Sequence, residues 1–267
     1  LQPCHTHQTR TRSLHPMKLI RLLLIFGCWY GFCMPLSVAE TLPRILIIGD
    51  SISIGYAPYV VEMFQGRAEV IHNKGNAQHT GIGLEKIDTW LGDELWDVIH
   101  FNWGLWDLCY RHPESPNQGN RDKERGTLTT TLETYEANLE KLVRRLKQTG
   151  AKLIWANTSF VPEGEFGRIH GDELNYNAVA AKVMSLHGIP TNDLRSLTAS
   201  FDPALFRAPG DVHYIPTGSQ ILGTQVVNTL ERALPELVFK VGLIGLDTSH
   251  VTAFTGRFNE TDNPNHV

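Results

Sequence analysis

Ile45-Leu46-Ile47-Ile48-Gly49-Asp50-Ser51 is the stretch whose reading decides the fold. Its continuous, mostly β-branched apolar run is the pattern of a strand buried on both faces of a parallel sheet. The Gly-Asp-Ser that follows places a hydroxyl at the carboxyl end of that strand, where open α/β sheets gather their chemistry. Outward from this junction, strand-like and helical patterns alternate. Further strands are expected at 68–72, 98–102 and 152–157, with a weaker one at 189–192. Leu128, Leu132, Tyr135, Leu139, Leu142 and Leu146 recur at four- and three-residue steps and predict a helix over 128–148, stopped by Gly150. Residues 172–187 and 217–234 read as two more helices. Alternating βα units of this size predict a parallel sheet with helices on both faces. The polar stretch from Tyr110 to Gly126 reads as a long loop, of the kind that is either functional or flexible.

A chain of 267 residues and 30.0 kDa is long enough to bury a full core. A net charge of −4 and a pI near 6.3 provide no basic field, which argues against nucleic acid as a partner. The mean hydropathy of −0.19 is ordinary for a soluble globular protein. Residues 1–16 read as upstream sequence or a loose extension. From Met17 a basic segment with Lys18 and Arg21 precedes an apolar run over 22–36. Ser37-Val38-Ala39 then forms a small-x-small site, so a secretory leader cleaved after Ala39 is expected. The apolar run is shorter than the roughly 20 residues of a spanning helix, so no stable membrane span is expected after cleavage. The resulting location is periplasmic or extracellular. Cys4, Cys28 and Cys33 fall before that site, leaving Cys109 as the single cysteine of the mature chain, with no internal disulfide.

The chemistry-bearing residues lie at opposite ends of the alternating region. A serine hydroxyl is a weak nucleophile until a base takes its proton, and an imidazole held by a carboxylate or carbonyl is the usual base. Ser51, Asp211 and His213 supply those parts. Donors for a developing oxyanion are expected from the Ser51 N–H at a helix start and from the ends of the second and third strands, at 73–80 and 102–107. The scattered histidines show no metal-ligand spacing, and no metal or cofactor is expected. Trp103 and Trp106 fit either core packing or the wall of a sugar-binding cleft.

On these residues the chain resembles the SGNH (GDSL-type) hydrolase family over roughly 43–234. Gly49-Asp50-Ser51 matches the first block of that family and Asp211-Val212-His213 resembles its last, with one residue between acid and base where the family usually has two. The resemblance implies a three-layer α/β/α sandwich with a mainly parallel, flavodoxin-like sheet. It also implies Ser51 as nucleophile and His213 as base, with either Asp211 or a backbone carbonyl orienting the imidazole. Aligning the second block puts Gln78 where the family has an oxyanion-hole glycine. Aligning the third, Gly104-Leu105-Trp106-Asp107, puts Trp106 in place of the donor asparagine, with Asn102 as a substitute donor. The activity implied is hydrolysis of a small-molecule or oligosaccharide ester, most of all a carbohydrate O-acetyl group. A lipid or lysophospholipid ester, and a catalytically weakened carbohydrate-binding module, remain open as alternatives.

Residues 239–250, Phe-Lys-Val-Gly-Leu-Ile-Gly-Leu-Asp-Thr-Ser-His, resemble the opening strand and turn of a Gfo/Idh/MocA-type oxidoreductase. The expected organisation is therefore an extension and leader over 1–39, a hydrolase domain over 40–236 and the start of a second Rossmann-like domain over 237–267. One strand and one helix cannot bury a core, and the segment lacks the full glycine fingerprint, so no nucleotide cofactor is expected there.

Overall fold

The computed structural model of the protein describes residues 41–234. The expected leader, its cleavage site, the three N-terminal cysteines and the oxidoreductase-like segment all lie outside the described residues.

Strand β1 (Arg44–Ile48) leads through the Gly-Asp-Ser turn into helix α1 (Ser51–Met63). There follow β2 (Glu69–His72), α2 (Thr80–Leu91), β3 (Val98–Phe101), the short strands β4 (Tyr110–Arg111) and β5 (Thr127–Leu128), and α3 (Leu132–Lys147). β6 (Lys152–Ala156), α4 (Asp172–His187), β7 (Thr191–Asn192), α5 (Leu194–Ala199) and α6 (Pro216–Glu231) complete the order. The main sheet runs β2-β1-β3-β6-β7 with every pairing parallel, which is the flavodoxin-like order. Helix α1 packs with α6, while α3 packs with both α2 and α4, so helices cover both faces of the sheet.

The apolar run is buried because β1 lies at the inner position between β2 and β3. Ile45, Leu46, Ile47 and Ile48 are all at most 1% exposed, and Val98, Ile99 and Phe101 line up beside them on β3. A strand hydrogen-bonded on both edges and covered on both faces has no polar side to show, which is why its sequence lacks alternation. Phe101 stacks edge-on against Trp155 of β6 at 5.3 Å, and Tyr135 of α3 against Tyr176 of α4 at 4.9 Å. Geometries of this kind add to the area term of burial.

One helix starts later than its periodicity implies. The expected helix over 128–148 begins at Leu132, capped by the Thr131 side chain, which accepts from the Thr134 N–H. Thr127 and Leu128 instead pair with Arg111 and Tyr110 in a two-stranded antiparallel ribbon. Thr129, Thr130 and Thr131 are β-branched and favour extended backbone or a cap over a helix interior, so local preference outweighs the apolar spacing at Leu128. The ribbon also orders the ends of the polar loop at 110–126. Among the described residues, no helix is long and apolar enough to cross a membrane.

Candidate active site

The Gly-Asp-Ser turn is held from three sides at the carboxyl edge of the sheet. The Gly49 N–H donates to Asn73 Oδ1 at 2.9 Å, the Gly49 carbonyl accepts from the Ala77 N–H at 3.0 Å, and the Asn102 N–H donates to the Ile48 carbonyl at 2.9 Å. Asp50 is the N-cap of α1 and accepts from the Ile52 N–H at 2.9 Å. Burial raises the Asp50 carboxyl above its usual range, with that N–H and the charge of Arg168 opposing. Ser51 is therefore the first residue of α1, with its own N–H among the first-turn donors that lack an intrahelical acceptor.

His213 arrives from the other end of the chain on the loop that precedes α6. That loop is clamped along 205–207. The Arg207 N–H donates to the His213 carbonyl at 2.9 Å, the Ile215 N–H donates to the Leu205 carbonyl at 2.9 Å, and Phe206 bridges to Tyr214. Rings of Phe201, Phe206 and Tyr214 pack against one another beneath it.

The result is a continuous hydrogen-bonded chain. Ser51 Oγ donates to His213 Nε2 at 2.9 Å, and His213 Nδ1–H donates to Asp211 Oδ1 at 2.6 Å. Asp211 Oδ1 also accepts from the His213 backbone N–H at 3.0 Å, a short-range turn that the single intervening residue makes possible. Partial burial works against ionisation of Asp211, but the backbone and ring N–H of His213 outweigh it and hold the carboxyl below its usual range. Of the two orienting groups left open by the sequence, the carboxylate of Asp211 is the one in contact with the ring.

Ser51, Asp211 and His213 line a cleft of about 670 Å³ together with Asn76 and Trp106. Trp106, aligned by the resemblance with the donor asparagine, lines this cleft, with the Arg111 guanidinium 4.2 Å over its ring. The other two expected oxyanion donors require correction. The Asn102 side chain donates to the Ala156 carbonyl at 2.7 Å and does not line this cleft. The Gln78 N–H donates to Asn76 Oδ1 at 2.8 Å, and Gln78 lines a neighbouring hollow. Gln78 has φ +52°, so a glycine-like backbone is kept without glycine.

Three contributors fall inside stretches marked in the sequence without being singled out there. Asn73, the last residue before the second loop, pins Gly49. Asn76 reaches the cleft, and with its Oδ1 holding Gln78 its donor Nδ2 remains for that cleft. The loop at 110–126, flagged only by length and polarity, supplies Arg111, Gln118, Gly119 and Arg121 to the cleft wall.

A second serine–histidine pair lies nearby. Ser53 Oγ is 2.7 Å from His72 Nε2, and His72 Nδ1–H donates to the Asn73 carbonyl at 2.8 Å. Burial lowers the His72 pKa, favouring the neutral ring. Ser53 is 2% exposed, its hydroxyl also contacts the Asp50 carbonyl at 2.8 Å, and it lines a crevice of only about 10 Å³. A carbonyl rather than a carboxylate holds this imidazole. The pair has base and hydroxyl in contact, but its role fits tethering α1 to β2.

No protein-family model matches the chain, and no curated protein matches it by sequence. Solved structures do. The chain is similar to a lipase/acylhydrolase from Enterococcus faecalis, at 20% identity and TM-score 0.60, covering 74% of this chain and 100% of that one. It is similar to the acetyl xylan esterase AlAXEase, at 15% identity and TM-score 0.57, covering 70% and 99%. It is also similar to Axe2, an acetylxylan esterase from Geobacillus stearothermophilus, at 20% identity and TM-score 0.55, covering 74% and 97%. The fold is that of the SGNH-type esterases and acylhydrolases.

Proposed function

We propose that this chain is an exported serine esterase that removes O-acetyl groups from a carbohydrate. The observation that carries the reading is the Ser51–His213–Asp211 hydrogen-bonded chain opening into a cleft. In the proposed reaction Ser51 Oγ attacks the ester carbonyl carbon while His213 Nε2 takes its proton. The tetrahedral intermediate collapses as His213 returns that proton to the departing sugar oxygen, leaving an acetyl-Ser51 ester. Water, deprotonated by His213, attacks this ester, and the second collapse releases acetate and regenerates the serine hydroxyl. Asp211 stabilises the imidazolium that forms in each half.

The oxyanion donors we assign are the Ser51 N–H and Asn76 Nδ2. Asn76 takes the place that the sequence reading allotted to Gln78, because the Gln78 N–H faces Asn76 Oδ1. The arginines, Asn76 and Gln118 that line the cleft fit a short acyl group on a hydrophilic alcohol better than a lipid chain. Two of the structural neighbours are acetyl xylan esterases, which supports the acetyl reading. Export rests on the leader pattern at 17–39.

The test is hydrolysis of p-nitrophenyl acetate by protein starting at Glu40, beside Ser51→Ala, His213→Ala and Ser53→Ala. Loss of activity with the first two and retention with the third is expected. Equal rates in Ser51→Ala and the parent would overturn the reading and favour a binding module. Asn76→Ala is expected to lower kcat by roughly 10²–10³, the usual effect of removing one oxyanion donor.

A further inference from the structure

The cleft beside Ser51 is lined by four arginines, Arg111, Arg121, Arg168 and Arg207, in a chain whose net charge is −4. Their charges are only partly matched. Glu165, fully buried, serves two of them, with Oε1 at 2.6 Å from Arg121 Nη1 and 2.9 Å from Arg168 Nη1. Arg168 is itself 4% exposed and donates through Nε to the Leu105 carbonyl at 2.6 Å, so a buried cation is fixed at the cleft. Arg111 donates to the Gly119 carbonyl and Arg207 to the Tyr214 carbonyl. Neither forms an ion pair with a carboxylate among the described residues. The carboxylate that lines the cleft itself, Asp211, is engaged with His213.

Four guanidiniums against Glu165 and Asp211 leave two positive charges in excess, those of half-buried Arg111 and exposed Arg207. Burial lowers the Arg111 pKa, and Arg168 and Arg121 push in the same direction, with the nearby Cys109 and Glu165 opposing. Assembling like charges in a partly buried site is unfavourable unless an anion completes it. Planar guanidiniums suit oxyanions that accept two parallel hydrogen bonds.

We propose that the ester substrate is an anionic saccharide, carrying a carboxylate or sulfate that the arginines hold while Ser51 faces the ester. This rests on the esterase reading for the role of Ser51, but the anion site stands on the arginines themselves. Arg111 and Arg207, lacking carboxylate partners, are the contacts most available to the substrate. Arg121 and Arg168, tied to Glu165, set the positive floor.

The experiment uses Ser51→Ala protein, so that binding is read without turnover. Calorimetry would compare an O-acetylated oligouronate, its carboxyl-reduced neutral counterpart, and a sulfated neutral oligosaccharide of the same length. The uronate or the sulfate is expected to bind about tenfold or more tightly than the neutral ligand, as charge-assisted pairs allow. That preference should shrink at about 0.5 M salt and in the Ser51→Ala/Arg207→Gln protein, with Arg111→Gln as the substitute if that double variant fails to fold. Tightest binding of the uronate assigns a carboxylate, and of the sulfate a sulfate ester. Equal affinity for neutral and both anionic ligands would overturn the proposal. Turnover of the same acetylated ligands by the parent protein tests the esterase reading separately, so the two can fail independently.

Discussion

Ser51 owes its position to three residues that follow two neighbouring strands, since Asn73 and Ala77 after β2 and Asn102 after β3 each hold the turn in which it sits. At this scale Asp211 has the sharpest testable role. Asp211→Asn keeps the size of the side chain but removes the charge that holds His213 Nδ1–H, so kcat is expected to fall by roughly 10²–10⁴ with little change in melting temperature. A steady-state assay beside a thermal melt checks both halves. Gln78 presents the reverse case. Its φ of +52° is costly for a residue with a Cβ, while glycine would loosen the unfolded chain. The balance favours Gln78→Gly by roughly 0.5 kcal/mol, read as a rise of about 1–2 °C in Tm.

Among the elements, the third strand and the turn after it carry the tightest constraint. Gly104 has φ +150°, and a Cβ there would stand 1.9 Å from Thr158 Oγ1, whose hydroxyl donates to the Trp103 carbonyl. Gly104→Ala is therefore expected to cost about 2–4 kcal/mol through strain and overpacking, measurable as a lowered denaturant midpoint with an unchanged slope. Two residues on, Trp106 enters the cleft, so the same variant should weaken activity even at temperatures where the fold survives. The polar loop shows why this element was only half legible. Its length marked it as functional or flexible, but nothing local says that β4 and β5 pair and turn its arginines inward.

For the whole molecule, pH sensitivity follows from a carboxyl that the fold encloses. Asp107 accepts from the Thr80 N–H at 3.0 Å and from Thr80 Oγ1 at 2.6 Å, joining the turn after β3 to the start of α2. Burial nevertheless outweighs these bonds and raises its pKa to about 7. A carboxyl raised above its unfolded value binds protons more strongly in the native state. Its contribution is thus fully present below the usual carboxylate range and is lost as pH rises through about 7. Denaturant titrations from pH 4 to 8 should show this decline, and Asp107→Asn should flatten it. A slope that persists in that variant would place its origin elsewhere.

Unbroken apolar runs alternating with helical patterns were enough to specify a parallel sheet with helices on both faces, because burial on two sides leaves a strand no polar positions. Ser51, Asp211 and His213 could likewise be picked out as a set of nucleophile, acid and base at the two ends of the alternating region. The tertiary structure decided the rest. A pairwise distance between Ser51 and His213 depends on how the clamp at 205–207 closes, which involves backbone groups common to every residue type. The orientation of the Gln78 N–H depends on a side chain two residues away. The charge of the cleft depends on which arginines Glu165 neutralises. Each of these is a matter of who meets whom in three dimensions, and spacing along the chain does not encode it.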